Sequence, residues 1–457
     1  MAFSDTGESE KLSEGGELHH LSIEGIGEWA LLVPATVYPP REDTILLCEA
    51  IAQLQRRKGS AVEIGCGSGA VTIALASFGW SVTCCDINPL ALSATRRNLE
   101  KYGMLDQVEI IDSGIGEGFK IPEDASMIVW NLPYLDPTND ESVLSTMEEA
   151  ALNDIKLGGW GKILLDHLSE PNTLTSEDCL ILILFRTDPR SQSSADDWRE
   201  KGWSVRSVAS KRLGGEKLEV CAMWKPGTGI EPTIIDECDS TMDEAASFEG
   251  NEWNRVFVSK QRTGRGRRGA KWWSTEGSIS ATWSMDPSVL DRVSPGLLQT
   301  SIGAIVAGCL QAQSKWPNDI VTPDGKKMGG VLIECSDNEN VRIGIGVNCE
   351  GFQGDGFVAS GWASTLGDVG ANQVLSLIDA ALASFFEDNG WLKMSTSEEM
   401  LRISWKGLST MLSRGVSMEV DGIWTSVVGL TLNGELEVLD EKGSGVVNEM
   451  DGVRWAL

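Results

Sequence analysis

A short apolar run, Ala61-Val62-Glu63-Ile64, leads into glycines at alternate positions, Gly65, Gly67 and Gly69, and then into a second apolar run from Ala70 to Phe78. A strand that feeds a helix through such a turn brings backbone N–H groups to the helix N-terminus, where glycine lets a ligand approach closely. The spacing is G-x-G-x-G, not the G-x-G-x-x-G of dinucleotide sites. Asp86 follows the next apolar run, Ser81–Cys85, and offers a carboxylate that can bind both hydroxyls of a ribose. The glycines alone are equally compatible with a bare tight turn; with Asp86 the pair points to a nucleoside ligand. Further on, Ile128-Val129-Trp130 ends in Asn131-Leu132-Pro133-Tyr134. A carboxamide that donates and accepts, a neighbouring backbone carbonyl and the flat face of Tyr134 can grip a planar N–H2 group and aim its lone pair at a methyl donor. An isolated N-x-P-Y is more often a turn. Its place at the end of the fourth strand after the glycine loop favours chemistry.

A second concentration of reactive residue types lies further along. Gln261-Arg262-Thr263-Gly264-Arg265-Gly266-Arg267-Arg268-Gly269 packs four arginines among three glycines in a chain of net charge −29. Joining a carboxylate to ATP brings two anions together, so the site needs cations to neutralise them and to hold the departing pyrophosphate. The glycines let the loop fold over a reactive intermediate and turn N–H groups toward it. An RNA-binding Arg-Gly segment is the other reading of the loop alone. Two further groups favour the first reading. Lys315-Trp316-Pro317-Asn318-Asp319 sets a cation, a rigid turn and ribose- or metal-type ligands side by side. Lys326-Lys327-Met328-Gly329-Gly330-Val331-Leu332-Ile333-Glu334 places a lysine ahead of a strand with little side-chain bulk. Gly344-Ile345-Gly346-Val347-Asn348 adds a strand whose terminal carboxamide can recognise a base.

The elements that must position these groups follow from the hydropathy pattern. Strand-like and helix-like runs alternate from about Leu31 to Trp224, the pattern of a doubly wound α/β sheet. Residues 1–20 are acidic and polar and are expected to form a mobile tail. Lys225-Pro226-Gly227-Thr228-Gly229 breaks the alternation as a linker. Mixed helix and strand signals run from Thr233 to Leu408; from Ser413 short strands follow around turns, with Asn433-Gly434 as a hairpin signal. The expected domains are 21–226, 231–410 and 411–457, in line with a length of 457 residues that exceeds one growing core. A cut within 226–231 is expected to leave two halves that fold and work separately.

Composition, 41% hydrophobic and 23% charged, is that of a soluble globular protein. No apolar run approaches the roughly 20 residues that span a bilayer, and the N-terminus lacks a signal-peptide pattern. The ten cysteines form no C-x-x-C pair and read as reduced thiols of a cytoplasmic protein. A net charge of −29 repels phosphate backbones and anionic membranes, so neither nucleic acid nor membrane is expected as a partner.

Val37-Tyr38-Pro39-Pro40-Arg41-Glu42-Asp43-Thr44, the Glu63–Gly69 loop, Cys85-Asp86-Ile87-Asn88-Pro89 and Asn131-Leu132-Pro133-Tyr134 together resemble the HemK-type glutamine methyltransferases. The likeness covers about residues 31–224 and is to the archaeal and eukaryotic branch that modifies class I release factors. It implies S-adenosylmethionine near Thr44, Glu63, Gly65, Gly67, Gly69, Asp86 and Asp112, and N5-methylation of the glutamine in a Gly-Gly-Gln loop, with Asn131 and Tyr134 as catalytic residues. It also implies, as in some members, a small zinc-binding activator protein as partner. The family usually has Asn-Pro-Pro-Tyr; Leu132 stands at its second position, where a backbone carbonyl acts, which leaves the acceptor open. An exocyclic amino group of a nucleic acid and a non-catalytic binding module are the rival readings. The lack of a basic segment in 1–226 argues against the first, and the intact donor and acceptor motifs against the second.

Asp239-Ser240-Thr241, the arginine-glycine loop, Lys315–Asp319, Lys326–Glu334 and Gly344–Asn348 in that order resemble biotin protein ligases over 231–457. The resemblance implies biotin held by Ser240, Thr241 and Gln261, with Gly264 and Arg265 closing over it, and Lys327 touching the biotin carboxylate and the α-phosphate. Arg267 and Arg268 would retain the adenylate; Arg268, Trp272, Asn318, Asp319 and Asn348 would serve ATP, with magnesium at Asp319. The partner implied is a biotin carboxyl carrier protein. Met242 departs from the usual Asn, and Ser278-Ile279-Ser280-Ala281-Thr282 is less apolar than the usual pocket strand. No DNA-binding domain precedes this half, so transcriptional control is not expected. Lipoate ligation and RNA binding are the competing readings, the first weakened by the lack of a Gly-Gly-Gly loop followed by His. The combined fold expectation is α/β: a Rossmann-like class I methyltransferase sheet, a mixed α+β biotin ligase catalytic domain and a small SH3-like β-barrel.

Overall fold

The structure is a computed structural model that describes residues 10–11, 16–116, 118–135, 158–170, 173, 176–228, 230–248, 252–273, 275–335, 340–354 and 357–456. It comprises two compact units, Met1–Lys225 with Asp388–Lys393, and Pro226–Glu387 with Met394–Leu457.

The first unit begins with a three-stranded antiparallel sheet, β1 (Glu10–Lys11), β2 (Gly16–Ile23) and β3 (Gly27–Pro34). Residues 16–20, expected in a mobile tail, are therefore strand. Leu21, Ile23, Leu31 and Val33 on the paired strands β2 and β3 are buried, and that burial holds the segment down. The main sheet contains β4 (Ser60–Ile64), β5 (Ser81–Asp86), β6 (Val108–Asp112), β7 (Ala125–Asn131), β8 (Leu180–Asp188), β9 (Ser204–Leu213) and β10 (Glu216–Trp224), in the order β6-β5-β4-β7-β8-β10-β9. All neighbours pair in parallel except β10, which is antiparallel to β8 and β9. Strands β7 and β8 are almost uniformly buried, which is why they read as continuous apolar runs. Its helices include α1 (Glu42–Gln53), α2 (Ala70–Ser77), α3 (Pro89–Lys101), α4 (Gly159–Leu168) and α5 (Ala195–Glu200). Asn88 caps α3 by accepting from the Leu90 N–H at 3.0 Å, with Pro89 in the first turn where its missing donor does no harm.

Asp388–Lys393 completes this unit from far along the chain. Trp391, 2% exposed, stacks on Trp80 at 5.8 Å and 8°, lies under the Arg56 guanidinium at 4.7 Å, and donates its indole N–H to Asp178 at 2.9 Å.

The second unit is built on β11 (Thr233–Cys238), β12 (Asn254–Gln261), β13 (Ile279–Met285), β14 (Gln313–Lys315), β15 (Asp319–Val321), β16 (Lys327–Glu334) and β17 (Val341–Val347). Their order is β11-β12-β13-β17-β16-β15-β14, with β18 (Phe352–Gly354) and β19 (Phe357–Ala359) at the side. Helices α6 (Thr241–Glu244), α7 (Pro295–Cys309), α8 (Ala363–Leu366), α9 (Ala371–Phe386) and α10 (Ser397–Leu412) accompany it; Leu297, Ile302 and Val306 of α7 and Ile378 and Leu382 of α9 share a core with Ile343 and Ile345 of the sheet.

The expected linker is packed in its described part. The buried Arg255 guanidinium holds Asp379 at 3.1 Å and donates to the carbonyls of Pro226 and Ile230 at 3.4 and 2.8 Å, and the Gly227 N–H donates to Glu387 at 2.9 Å. A Cβ at Gly227 would fall 1.9 Å from an Arg255 nitrogen. Gly227 is there for close approach, not for flexibility. Gly229 lies outside the described residues.

After α10 come β20 (Ser417–Val420), β21 (Ile423–Leu430), β22 (Leu436–Asp440), β23 (Gly443–Val447) and β24 (Val453–Ala456), an antiparallel sheet in the order β23-β22-β21-β20-β24. The Asn433-Gly434 pair does sit in the β21–β22 hairpin. Only Gly434 takes positive φ, and the Thr431 N–H closes the loop on the Glu435 carbonyl at 2.9 Å, a longer turn than the two-residue type. Trp316, in the turn read from sequence between Lys315 and Asn318, is 3% exposed within the core of this sheet and donates to the Gly434 carbonyl at 2.7 Å.

Candidate active sites

Strand order in the first unit reverses beside β4, which has β5 on one side and β7 on the other. A ligand in such a sheet lies beyond the carboxyl ends of the strands at that switch point. There Gly65 and Gly67 after β4, Asp86 at the end of β5 and Asn131 at the end of β7 line one cavity, together with Thr44 of α1, Glu63, Ile87, Trp130 and Trp160. Gly65 and Gly67 have φ of 69° and 52°, left-handed backbone that demands glycine. The Asp86 carboxylate accepts from the N–H groups of Gly67 and Asn88, each at 2.9 Å. Burial pushes its carboxyl above the usual range, while the N–H groups of Asn88, Gly67 and Ile87 pull it back. Glu63 accepts from the Thr72 hydroxyl, and burial followed by the neighbouring Cys84 moves its carboxyl well up.

Three residues named from sequence do not line this cavity. Gly69 caps α2 at φ 80°, and a Cβ there would lie 3.1 Å from Thr95, so it serves close helix packing. Asp112 pairs in register with Asp86 but is exposed. Tyr134 points its hydroxyl at Asp43, 3.4 Å away.

Asp43 is the residue that motif reading passed over. It is 2% exposed and accepts from the Tyr38 hydroxyl at 3.0 Å, the Thr44 N–H at 2.7 Å and the Asn131 amide at 3.1 Å. An acidic residue in the first turn of a helix ordinarily reads as a solvated dipole partner, so its sequence context carried no signal of burial.

In the second unit, Ser240, Thr241, Gln261, Arg265, Arg267, Trp272, Asn318, Asp319 and Lys327 line a second cavity. Gly330, Gly344 and Gly346 of β16 and β17 form bare strand positions in it. A Cβ at Gly346 would come within 2.4 Å of the Trp272 ring, and one at Gly344 within 2.7 Å of the Met242 sulfur, so the missing side chains make room for those two. Gln261 Oε1 accepts from the Thr241 N–H at 2.9 Å and its hydroxyl at 3.1 Å, which fixes the amide's orientation.

The cations here are mostly engaged with carboxylates. Lys327 Nζ lies 2.6 Å from Asp319. Arg265 forks onto Asp243 at 2.9 and 2.8 Å and Glu334 at 2.7 and 2.9 Å, and these bonds, Glu334 first, hold it above its ordinary pKa. Arg267 makes no ion pair among the described residues; burial, then Arg268, depress its pKa, a situation an anion would relieve. Arg268, grouped with the ATP residues from sequence, is outside the lining. It takes φ 54° and pairs with Glu449 at 3.0 Å and Asp451 at 2.5 Å. Gly264 and Asn348 are outside the lining too. A Cβ at Gly264 would lie 2.5 Å from the Gln261 amide nitrogen. Asn348 is 2% exposed, and its Oδ1 accepts from nothing among the described residues. No three His, Cys, Asp or Glu side chains converge as a metal cluster among the described residues, and none of their helices is long and apolar enough to cross a membrane.

Comparison with known proteins divides the chain the same way. Residues 42–175 match the methyltransferase small domain family, and residues 239–348 match the biotin/lipoate A/B protein ligase family. A putative protein N5-glutamine methyltransferase of Methanocaldococcus jannaschii is 27% identical over 209 residues, 45% of this chain and 98% of that protein. The bifunctional ligase/repressor BirA of Bacillus spizizenii is 34% identical over 129 residues, 26% of this chain. The chain spans only 39% of the length of that relative. The solved structure of biotin protein ligase from Aquifex aeolicus in complex with biotin and ATP matches over 50% of this chain and 98% of its own, at 22% identity and a TM-score of 0.37.

Proposed function

We propose that this chain is a bifunctional enzyme, in which the first unit methylates a protein glutamine with S-adenosylmethionine and the second joins biotin to a carrier-protein lysine through biotinyl-AMP. The observation that carries the reading is that each cavity's lining draws on a segment matching a different enzyme family.

In the first site, Gly65 and Gly67 leave room for the donor, Asp86 would take the ribose hydroxyls, and Thr44 and Glu63 complete its walls. The donor supplies the methyl group. Asn131, with Tyr134 behind it, would hold the acceptor nitrogen, for which the glutamine of a class I release factor's Gly-Gly-Gln loop is the proposed source. A small zinc-binding activator is proposed as a partner, on the resemblance alone.

In the second site, Ser240, Thr241 and Gln261 would bind the biotin ring, and Lys327 would meet its carboxylate and the α-phosphate, exchanging Asp319 for these anions. Trp272, Asn318 and Asp319 would take the nucleotide. Magnesium would be shared between Asp319 and the phosphates, since this ion seldom has an all-protein cage. Arg267 is the proposed adenylate retainer, and the C-terminal sheet from Ser417 onward the SH3-like module. Arg268, Gly264, Gly69, Asp112 and Asn348 are assigned no direct ligand contact.

Biotin-dependent ATP–pyrophosphate exchange tests the ligase half. Exchange driven by lipoate and not by biotin would overturn it. Radiolabel transfer to a Gly-Gly-Gln protein tests the other half; strong methylation of DNA with none of the protein would replace the acceptor.

A further inference from the structure

The Asn131 carboxamide sits against a carboxylate that has a single chemical role. Asp43 can only accept hydrogen bonds, so the atom that faces it at 3.1 Å must be the amide nitrogen, and the amide oxygen must turn the other way. That oxygen accepts from nothing among the described residues, and Asn131 lines the donor cavity. Tyr38 and Tyr134 donate to the same Asp43 oxygen at 3.0 and 3.4 Å, and the Thr44 N–H holds the other at 2.7 Å. The carboxylate is thereby fixed from three elements: α1, the segment before it and the turn after β7.

We propose that Asp43 is a positioning residue for methyl transfer. It locks the flip of Asn131 so that an oxygen, never an N–H, faces the acceptor, and so restricts the acceptor to groups that donate a hydrogen bond. Flipping Asn131 would set its oxygen against the carboxylate and exchange a charge-assisted bond for a repulsive contact. With the lock in place, an incoming N–H2 meets an acceptor and is oriented by it. An acceptor group with no hydrogen to donate finds no partner there. As the new N–C bond forms and the donor's C–S bond breaks, positive charge moves onto the acceptor nitrogen while its N–H points at this oxygen; the surplus proton leaves to water. The inference rests on the methyltransferase reading above, but the lock itself is observable without any acceptor.

The full chain, labelled with 15N-asparagine and saturated with S-adenosylhomocysteine, gives the direct test. The side-chain amide of Asn131, identified by its loss in Asn131→Asp, is expected with one proton shifted well downfield of the other asparagine side-chain amides by its bond to the Asp43 carboxylate. Two amide protons at the shifts of an exposed asparagine overturn the lock, whatever the variants do. Asp43→Asn is expected to lower kcat at least tenfold while donor affinity by calorimetry stays within twofold. The double exchange Asp43→Asn/Asn131→Asp restores an oxygen toward the acceptor, because position 131 then carries only oxygens, and is expected to regain at least fivefold over the single variant. A double variant no better than Asp43→Asn overturns the proposal, since a purely structural role predicts cumulative damage. If thermal melting shows Asp43→Asn to be unfolded, the wild-type resonances decide alone. If the wild type methylates no Gly-Gly-Gln protein yet shows the locked amide, the acceptor assignment fails and the lock stands.

Discussion

In the first cavity the lining offers oxygens and glycine-freed backbone: Asp86, Glu63 and Asn131 around the Gly65–Gly67 turn. In the second they are cations, Lys327, Arg265 and Arg267, against bare strand positions at Gly330, Gly344 and Gly346. The difference follows from what each proposed reaction asks for. A methyl group moving to a neutral amide needs two partners aligned and little charge supplied, so the site invests in fixed orientation. Joining two anions needs positive charge. In a chain of net charge −29, most of those cations are matched with carboxylates such as Asp319 and Glu334. On the proposed reactions, the first site is set by geometry before ligand arrives, whereas the second would trade internal partners for substrate.

Removing the orienting group is expected to have the largest effect. Asn131→Ala should lower kcat for methyl transfer by about 10²–10³-fold, the scale of losing one preorganised hydrogen-bond partner, with donor affinity unchanged by calorimetry. A comparable loss of donor affinity would mean that Asn131 holds the donor instead, and the contrast between the sites would weaken. On the cationic side, Lys327→Ala should slow biotin-dependent ATP–pyrophosphate exchange by about 10²-fold, through lost stabilisation of charge at the α-phosphate. Equal exchange rates in Lys327→Ala and wild type would break the comparison outright.

Donor binding sharpens it next. Asp86→Ala should weaken S-adenosylmethionine affinity by roughly tenfold, as expected for lost bonds to a charged group. Its carboxyl is raised by burial, so the ionised form proposed to accept from the ribose hydroxyls is present above the raised pKa and lost as pH falls through it. Wild-type affinity should therefore decline on acidification sooner than an ordinary carboxylate predicts, and Asp86→Asn should flatten that decline. A pH-independent affinity in the wild type would remove Asp86 from the donor site. The smallest rate effect is expected at Arg267. Arg267→Gly should still activate biotin within a few-fold of wild type, yet release the adenylate and label bystander lysines. Labelling confined to the carrier would take the retention role from Arg267.

Much of both sites was legible in advance because their motifs are local. Gly65, Gly67, Asp86, Asn131, Gln261, Arg265, Lys327 and Asp319 were named from spacing and likeness, and each lines its cavity. The named residues that fall outside the linings share a cause. Gly69 and Gly264 belong to glycine-rich runs in which every glycine looks alike, and only their surroundings, Thr95 and Gln261 respectively, separate a packing glycine from one beside a ligand. Arg268 stands beside Arg267 in sequence, but its left-handed backbone aims it at Glu449 and Asp451, more than 180 residues away.

The sequence by itself determined the motifs behind the two proposed chemistries, because glycine-permitted turns, terminal carboxylates and clustered arginines act through neighbours a few residues apart. It also determined the parallel core of the first sheet, since strands buried on both faces have to be apolar along their length. Tertiary structure alone decided that Asp43 is buried and orients Asn131, because an acidic first-turn residue looks the same in sequence whether it faces water or a tyrosine pair. It alone decided that Trp391 belongs with Trp80, and that Gly227 clasps Arg255 instead of serving as a loose joint. Burial and pairing across hundreds of residues depend on which faces meet, and local pattern carries no record of that meeting.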